Sequence, residues 1–585
     1  MALALCLGVL VGPPSEAGEF TLSLQEENED LAGQIENSSL ARAALEREDS
    51  DPADIVAAAR ADYRRILEVL YANGYFDIEI SIKVNGQEAS ELSPFAEFAA
   101  LPNVSATVVS GLPFTFGTIN ISPIAPETTL PREFTPGAPA QSSTIRSAVD
   151  RGVRGWRDVG FPRAALADQD LRARHQVQEL DVDLSLDPGP RLRFGAQSVS
   201  GTSRIDDERV RDIAAVPTGE VFSPKALTDA QRRLVETGVF RSAVVRESEE
   251  NNADGTVDVE IEVQEEKLRR IGFGAEYGTS DGIGLSAFWF HRNLLGGGER
   301  LRFDAELNQQ IDGNEALEYS LSALFRRPAT PRPLTDLVLR AEISRDDNND
   351  FREDQVEAEV LFDRTLTDAL SFASGLRFTA TETDFKPGTQ NFVTFGVPLQ
   401  AVYDVRDFET NAKSGYYIDS EVFPFYGTED AKNGVRLFLD TRFYQSFGEA
   451  QDLTFALRGQ FGAVFGASTG EVPESFLFLS GGSGTVRGQP FESLGIDTPR
   501  GTFGGTEFAA ATFEVRYDLQ NNFGVVGFFD FGYVGDESQS DSHSGAGLGV
   551  RYNTPIGPLR FDIAGPVDGD TGDGVQLYFG IGQAF

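Results

Sequence analysis

The 585-residue chain is short of cysteine, methionine, tryptophan, histidine and positive charge: one Cys, one Met, two Trp and three His. The only cysteine, Cys6, lies in an apolar leader ahead of Ser15-Glu16-Ala17, a small-x-small pattern of the kind cleaved from exported proteins. Cleavage after Ala17 leaves a mature chain without a thiol. That excludes disulfides, thiolate metal sites and cysteine catalysis, and it suits passage through an oxidising compartment. The leader, residues 1–17, has no basic start, so a longer signal peptide is expected upstream. Leu5 stands where a lipoprotein signal needs a small residue, which argues against acylation of Cys6.

Lys and Arg number 50 against 91 Asp and Glu, a net charge of −41. A nucleic-acid partner needs clustered cations and is excluded; the charge reads as hydrated surface and long loops. Asp346, Asp347 and Asp350 could offer oxygen to a divalent cation, but their spacing matches no calcium loop. No metal and no cofactor is expected. After the first dozen residues no run approaches the roughly 20 apolar residues of a membrane helix, which leaves spanning strands open. His175, His291 and His543 have no nucleophile signature nearby. Gly482-Ser483-Gly484 is followed by Thr485, so it is no nucleophile elbow, and the glycine-rich stretches follow no strand-to-helix pattern. The chain is not expected to be an enzyme.

What is abundant is Phe, 45 residues, and Gly, 60 residues, a pairing that suits closely packed strands with rings on display. The first half repeats at roughly 80 residues. Helical stretches 55–73, 147–159 and 223–237 end at Gly74-Tyr75-Phe76, Gly160-Phe161-Pro162 and Gly238-Val239-Phe240. Each has apolar residues near helical spacing, then a glycine able to take φ > 0 and an aromatic able to fold back. Strands 105–109, 179–186 and 257–263 close the units. The order strand-helix-helix-strand-strand with its Gly-x-Phe-like turn resembles the POTRA domain, best over 205–266. Expected bounds are 20–113, 114–193 and 194–268. Such domains bind client chains by adding a strand to a sheet edge, so no binding side chain can be named.

From Arg269 onward helical periodicity gives way to alternating segments of about 9 to 14 residues separated by Gly, Asp, Asn and Pro. In the first, Ile271, Phe273, Ala275 and Tyr277 share a face opposite Arg270, Gly272, Gly274 and Glu276. In the last, Val575, Leu577, Phe579, Ile581 and Phe585 share one. Sixteen antiparallel strands are expected over 269–585. They make an all-β transmembrane barrel preceded by three α+β domains. An even count returns Phe585 to the periplasmic side and makes the long segment 468–507 extracellular.

Within that segment, Val486-Arg487-Gly488 resembles the sixth-loop hallmark of the BamA/TamA assembly superfamily, with Gln489 in the aromatic's place and Phe491 able to supply a ring. Phe528-Phe529-Asp530-Phe531-Gly532 resembles the family's Phe-x-Asp-x-Gly motif. A buried guanidinium needs carboxylates, so Arg487 is expected to pair with Asp530, near Glu514, and to lock the loop inside the barrel. Residues 574–585, with Leu577, Phe579, Ile581 and Phe585, look like a β-signal. Three repeats, rather than five, favour the TamA branch. That resemblance implies an assembly or translocation factor in the outer-membrane bilayer. Its arm would lie in the periplasm, its partner would be a TamB-like inner-membrane-anchored protein, and its clients would be unfolded outer-membrane or autotransporter chains. It also implies a seam between first and last strands, with Ile271, Gly272, Phe273 and Gly274 on the first. The glycines there either permit bending or make room for neighbouring side chains. A transport pore or phospholipid conduit is the alternative.

Overall fold

The structure, a computed structural model, describes residues 18–581 apart from 26–27, 48, 94–95, 97, 99, 279–281, 310–316, 348–350, 386–387, 449, 500, 520, 555–556 and 570–573. The leader with Cys6, and also Asp350 and Phe585, therefore lie outside the described residues.

Chain contacts divide the protein into two compact units: residues up to 196 with 217–227 and 247–259, and residues 197–216, 228–246 and 260 onward. The N-terminal part contains three α+β modules. In the first, strands Phe20–Leu24, Val104–Ser110, Ile78–Val84 and Gln87–Glu88 form one sheet in that spatial order. Helix Pro52–Ala72 starts at a capping box of Asp51 and Asp54, with proline in its first turn where no amide is needed. It buries Ile55, Val56, Ala59, Ile66 and Leu70 in a core shared with Ile82, Val84, Val104 and Val108. The second module has strands Thr115–Ser122, Glu179–Asp187 and Ala165–Arg174 with helix Ser142–Asp158. The third has strands Arg193–Ser200, Thr256–Glu265 and Phe240–Asn251 with helices Asp207–Ala214 and Pro224–Glu236.

All three turn glycines adopt the left-handed conformation read from sequence, Gly74 at φ +86°, Gly160 at +106° and Gly238 at +66°. One element departs from expectation. The second module has one helix, not two, among its described residues. Its 123–141 stretch is a run of turns, because Pro123, Pro126, Pro131, Pro136 and Pro139 remove amide donors and bar helix continuation.

Seventeen strand segments of the described residues close into an antiparallel barrel. In chain order they are β1 Arg269–Gly278, β2 Gly282–Arg292, β3 Arg300–Gln309, β4 Leu317–Arg327, β5 Thr335–Asp347 and β6 Phe351–Thr365. There follow β7 Leu370–Phe385, β8 Gly388–Gly396, β9 Leu399–Asp404, β10 Ser414–Glu429, β11 Gly434–Phe447 and β12 Leu453–Phe465. The last are β13 Glu507–Asp518, β14 Phe523–Gly535, β15 Ser540–Thr554, β16 Gly557–Asp568 and β17 Gln576–Ile581. Segments β8 and β9 each pair with both β7 and β10, so they lie end to end in one place of the ring. The break falls at Val397-Pro398, where proline cannot supply a ladder amide. The ring is thus traversed in sixteen places.

Alternation sets the two faces. On β14, Phe529 and Phe531 are exposed on the outside, while Val526, Phe528, Asp530 and Val534 are buried within. The inner wall carries ion pairs along its strands, among them Arg377 with Glu421 (2.8 Å) and Arg458 with Asp440 (2.8 Å).

Candidate functional site

The connection 466–506, between β12 and β13, folds into the barrel rather than standing out from it. Val472, Phe476, Leu477, Phe478, Leu494 and Ile496 pack with the wall residues Phe423, Phe425, Val464, Phe508, Ala510 and Val534 in one apolar cluster. Phe478 lies over Gly462, where any Cβ would come within 2.4 Å of its ring.

At the tip, Arg487 is buried against three strands. Its Nε donates to Asp530 Oδ2 at 2.8 Å and its Nη2 to Asp530 Oδ1 at 3.0 Å, a two-pronged pairing that matches the planar guanidinium. Nη1 reaches Glu514 at 2.8 Å and Asp562 at 3.3 Å, and the backbone amide of Arg487 also donates to Asp530, at 3.1 Å. Arg516 pairs with Glu514, and Arg551 with Asp562. Three guanidiniums thus meet three buried carboxylates, which is what burial of charge demands. The guanidinium carbon of Arg487 sits 3.5 Å from the centre of the Phe528 ring.

Arg487, Asp530 and Glu514 are therefore in direct contact, and Val486 is fully buried beside them. Phe491 is not part of the cluster. Expected to supply the missing ring, it is 39% exposed; the ring against Arg487 is that of Phe528, from the wall. Gln489 takes the buried place instead, its Nε2 donating to the carbonyls of Ser544 (2.8 Å) and Asp568 (3.1 Å). An amide fits there because it meets two carbonyls, at the β15 register shift and at the end of β16, that a phenyl ring would leave unpaired. Gly488, at φ +95°, lies flat on β16, where a Cβ would come within 2.6 Å of the Gly565 backbone.

Several partners carry no mark in the sequence. Asp562 and Arg551 lie on neighbouring strands outside any motif. Ser480 Oγ lies 2.9 Å from His543 Nε2, both buried, and ties the loop base to β15. Gly532 is packed so closely below the pair that a Cβ there would come within 2.4 Å of Ser480 Oγ. On the opposite wall, Glu353 of β6 accepts from the amides of Glu474 (2.8 Å) and Ser475 (3.1 Å), and Ser475 Oγ donates to Gln355. The Glu474 carboxyl accepts from the amide of Gly504 at 3.0 Å. Burial pushes it up to about 8; the Gly504 amide opposes this, and the negative charges of Glu353 and Asp346 add to it.

The first and last strands meet beside this tip. Strands β1 and β2 are in register from Arg269↔His291 to Gly278↔Gly282. Strands β1 and β17 are in register only at Tyr277↔Phe579 and Gly278↔Tyr578 among the described residues. Gly580 and Ile581 are registered with β16, opposite Arg560 and Leu559. Ile271 and Phe273 face outward, the latter 84% exposed. Gly272 and Gly274 make room for inner side chains, since a Cβ would meet Phe288 at 2.2 Å and Ser286 at 2.4 Å. Leu577 and Phe579 face outward on β17, Tyr578 inward, and Ile581 lies in the strand.

The family model for the Omp85 superfamily domain matches residues 293–585, half of the chain. A second, a POTRA model described as a surface antigen variable number repeat, matches 192–266. The outer membrane protein assembly factor BamA of Nitratidesulfovibrio vulgaris is 24% identical over 458 residues, 74% of this chain and 56% of its own length. That of Neorickettsia risticii is 23% identical over 427 residues, 68% and 55% respectively. The chain thus spans about half the length of the curated relatives it matches. Among solved structures, BamA from Haemophilus ducreyi lacking POTRA domains 1-3 aligns at a TM-score of 0.61 and 18% identity, over 80% of this chain and 100% of that one. CdiB from Acinetobacter baumannii aligns at 0.53 and 12%, over 80% and 90%. These last two share the fold. By its family match the chain belongs to the Omp85 superfamily, as an outer-membrane β-barrel protein with POTRA domains in the periplasm.

Proposed function

We propose that this protein assembles or translocates client polypeptides at the outer membrane, and that the working surface is the edge of β1 at its seam with β17. The observation that carries this reading is the β1–β17 register, which among the described residues runs only over Tyr277↔Phe579 and Gly278↔Tyr578, while Gly580 and Ile581 are registered with β16. Unpaired strand amides and carbonyls within a bilayer are costly, so an incoming strand that pairs with them is favoured. The docked loop keeps the lumen filled while the wall opens, with Arg487, Asp530 and Glu514 as its lock and Val486 and Gly488 as its seat. On this reading Leu577, Phe579, Ile581 and Phe585 serve as the β-signal of the chain's own insertion. The arm divides at 20–113, 114–193 and 194–268 ahead of a barrel at 269–585, a division supported by three separate sheets. Three modules support a TamB-like inner-membrane partner and autotransporter-like clients.

A disulfide between Tyr277→Cys and Phe579→Cys tests the reading in the full chain reconstituted into liposomes. Oxidation is expected to abolish protease-protected insertion of a denatured barrel client, and reductant to restore it. Undiminished insertion with the seam locked would overturn it. Fluorescent phospholipid transfer measured in the same vesicles reports on the conduit alternative, which predicts transfer that the lock leaves intact.

A further inference from the structure

Tyr578 occupies two positions of consequence at once. Its backbone forms one of the seam pairs, with Gly278 of β1, and on its other side it is registered with Asp562 of β16. Its side chain points inward and is buried with Val526, Phe528 and Ala564. There its hydroxyl accepts a hydrogen bond from the backbone amide of Gly488 at 3.0 Å. Gly488 follows Arg487 directly, so one residue of the loop tip is held by carboxylates of β13, β14 and β16 and the next by a phenol of β17. The tip has little freedom to shift, because Gly488 lies against Gly565 and the Arg487 carbonyl lies 2.0 Å from where a Cβ on Gly545 would stand.

We propose that the Tyr578 hydroxyl is a positioning contact through which the docked loop holds the last strand in register with the first. With the loop docked, β17 is held at Tyr578 and its neighbour Phe579 reaches Tyr277. When the tip withdraws, the Gly488 amide leaves Tyr578, and β17 loses this contact with the loop. Loop docking and seam closure then change together. The idea rests on the reading of the seam as the working edge, but the coupling itself can be measured without a client.

The test uses the full chain with Cys6→Ser and the Tyr277→Cys/Phe579→Cys pair, folded in liposomes, and follows the rate of disulfide formation under a mild oxidant. Tyr578→Phe keeps the ring and removes only the hydroxyl, and unheated gel mobility reports that the barrel has folded. The rate is expected to fall about fivefold, the factor an ordinary neutral hydrogen bond contributes. Deleting tip residues 482–491 is expected to produce a comparable fall, and Tyr578→Phe to add nothing in that background. An unchanged rate in Tyr578→Phe, an unchanged rate on tip deletion, or additive effects of the two would each overturn the coupling. A parent that does not crosslink at all would overturn the seam register and this inference with it. Should Tyr578→Phe slow crosslinking while client insertion stays unaffected, the coupling stands and the seam's role in assembly falls.

Discussion

At the scale of single residues, the response of the tip cluster to mutation follows from which of its ion pairs survive. Arg487→Met takes the cation from buried Asp530, while Glu514 keeps Arg516 and Asp562 keeps Arg551, and is expected to cost about 3–5 kcal/mol, read as a lower urea midpoint for retention of folded gel mobility. Asp530→Asn is expected to cost less, since Arg487 keeps two carboxylates. A reciprocal swap of Arg487 and Asp530 is a poor test of the pair, because an aspartate at 487 would face Glu514 and Asp562. Gln489→Phe restores the family's aromatic, yet it is expected to destabilise by about 1–3 kcal/mol through overpacking and lost donors, whereas Phe491→Ala stays within about 0.5 kcal/mol. Equal effects of these two on the same urea midpoint would contradict the placement of Gln489. The Arg487–Asp530 pair is legible because each residue stands in a motif and Asp530 alternates with outward Phe529 and Phe531. Asp562 and Tyr578 carry no such mark. Alternation gives the side a residue faces, but only the closed ring shows that β16 and β17 lie within reach of a loop that leaves β12.

At the scale of elements, strands are legible where period-2 alternation runs between turn residues, and helices where a glycine closes an apolar stripe, as at Leu227, Leu234 and Gly238. The proline run 123–141 is equally plain in the sequence, and there the local bar to a helix prevails over the repeat. The loop's second anchor, on β6, is not legible, since Glu353 lies more than a hundred residues before its partners Glu474 and Ser475. That anchor gives the loop a pH response. The Glu474 carboxyl is pushed up to about 8 when docked, mainly by burial, against an ordinary value near 4.5. A carboxyl raised in this way favours docking fully below about pH 4.5 and progressively less as pH rises through about 8. Protease cleavage within 482–491 is therefore expected to speed up between about pH 5 and 8, and Glu474→Gln to make the profile shallower, the remainder coming from Glu492, which burial also pushes up to about 8. A parent profile that is already flat would contradict the burial of Glu474.

At the scale of the whole molecule, the net charge of −41 is a property of surface and lumen together, and within the barrel Arg377, Arg458, Arg487 and Arg551 each meet a buried carboxylate. The architecture and family follow from sequence, because few folds sustain alternation over roughly three hundred residues, and the two loop-wall motifs narrow those few to one family. The site at the seam does not follow so directly. It depends on how β17 registers with β1, a matter that no single strand's residues encode. The central claim is that clients enter at that edge, and trapping one there tests it most directly. A photocrosslinker placed at Ile271 on β1 during insertion of a denatured barrel client is expected to capture the client's last strand. The same probe at Phe443 on β11, equally outward but far around the ring, is expected to capture none. Equal capture at both positions, or capture only at Phe443, would contradict entry at the seam.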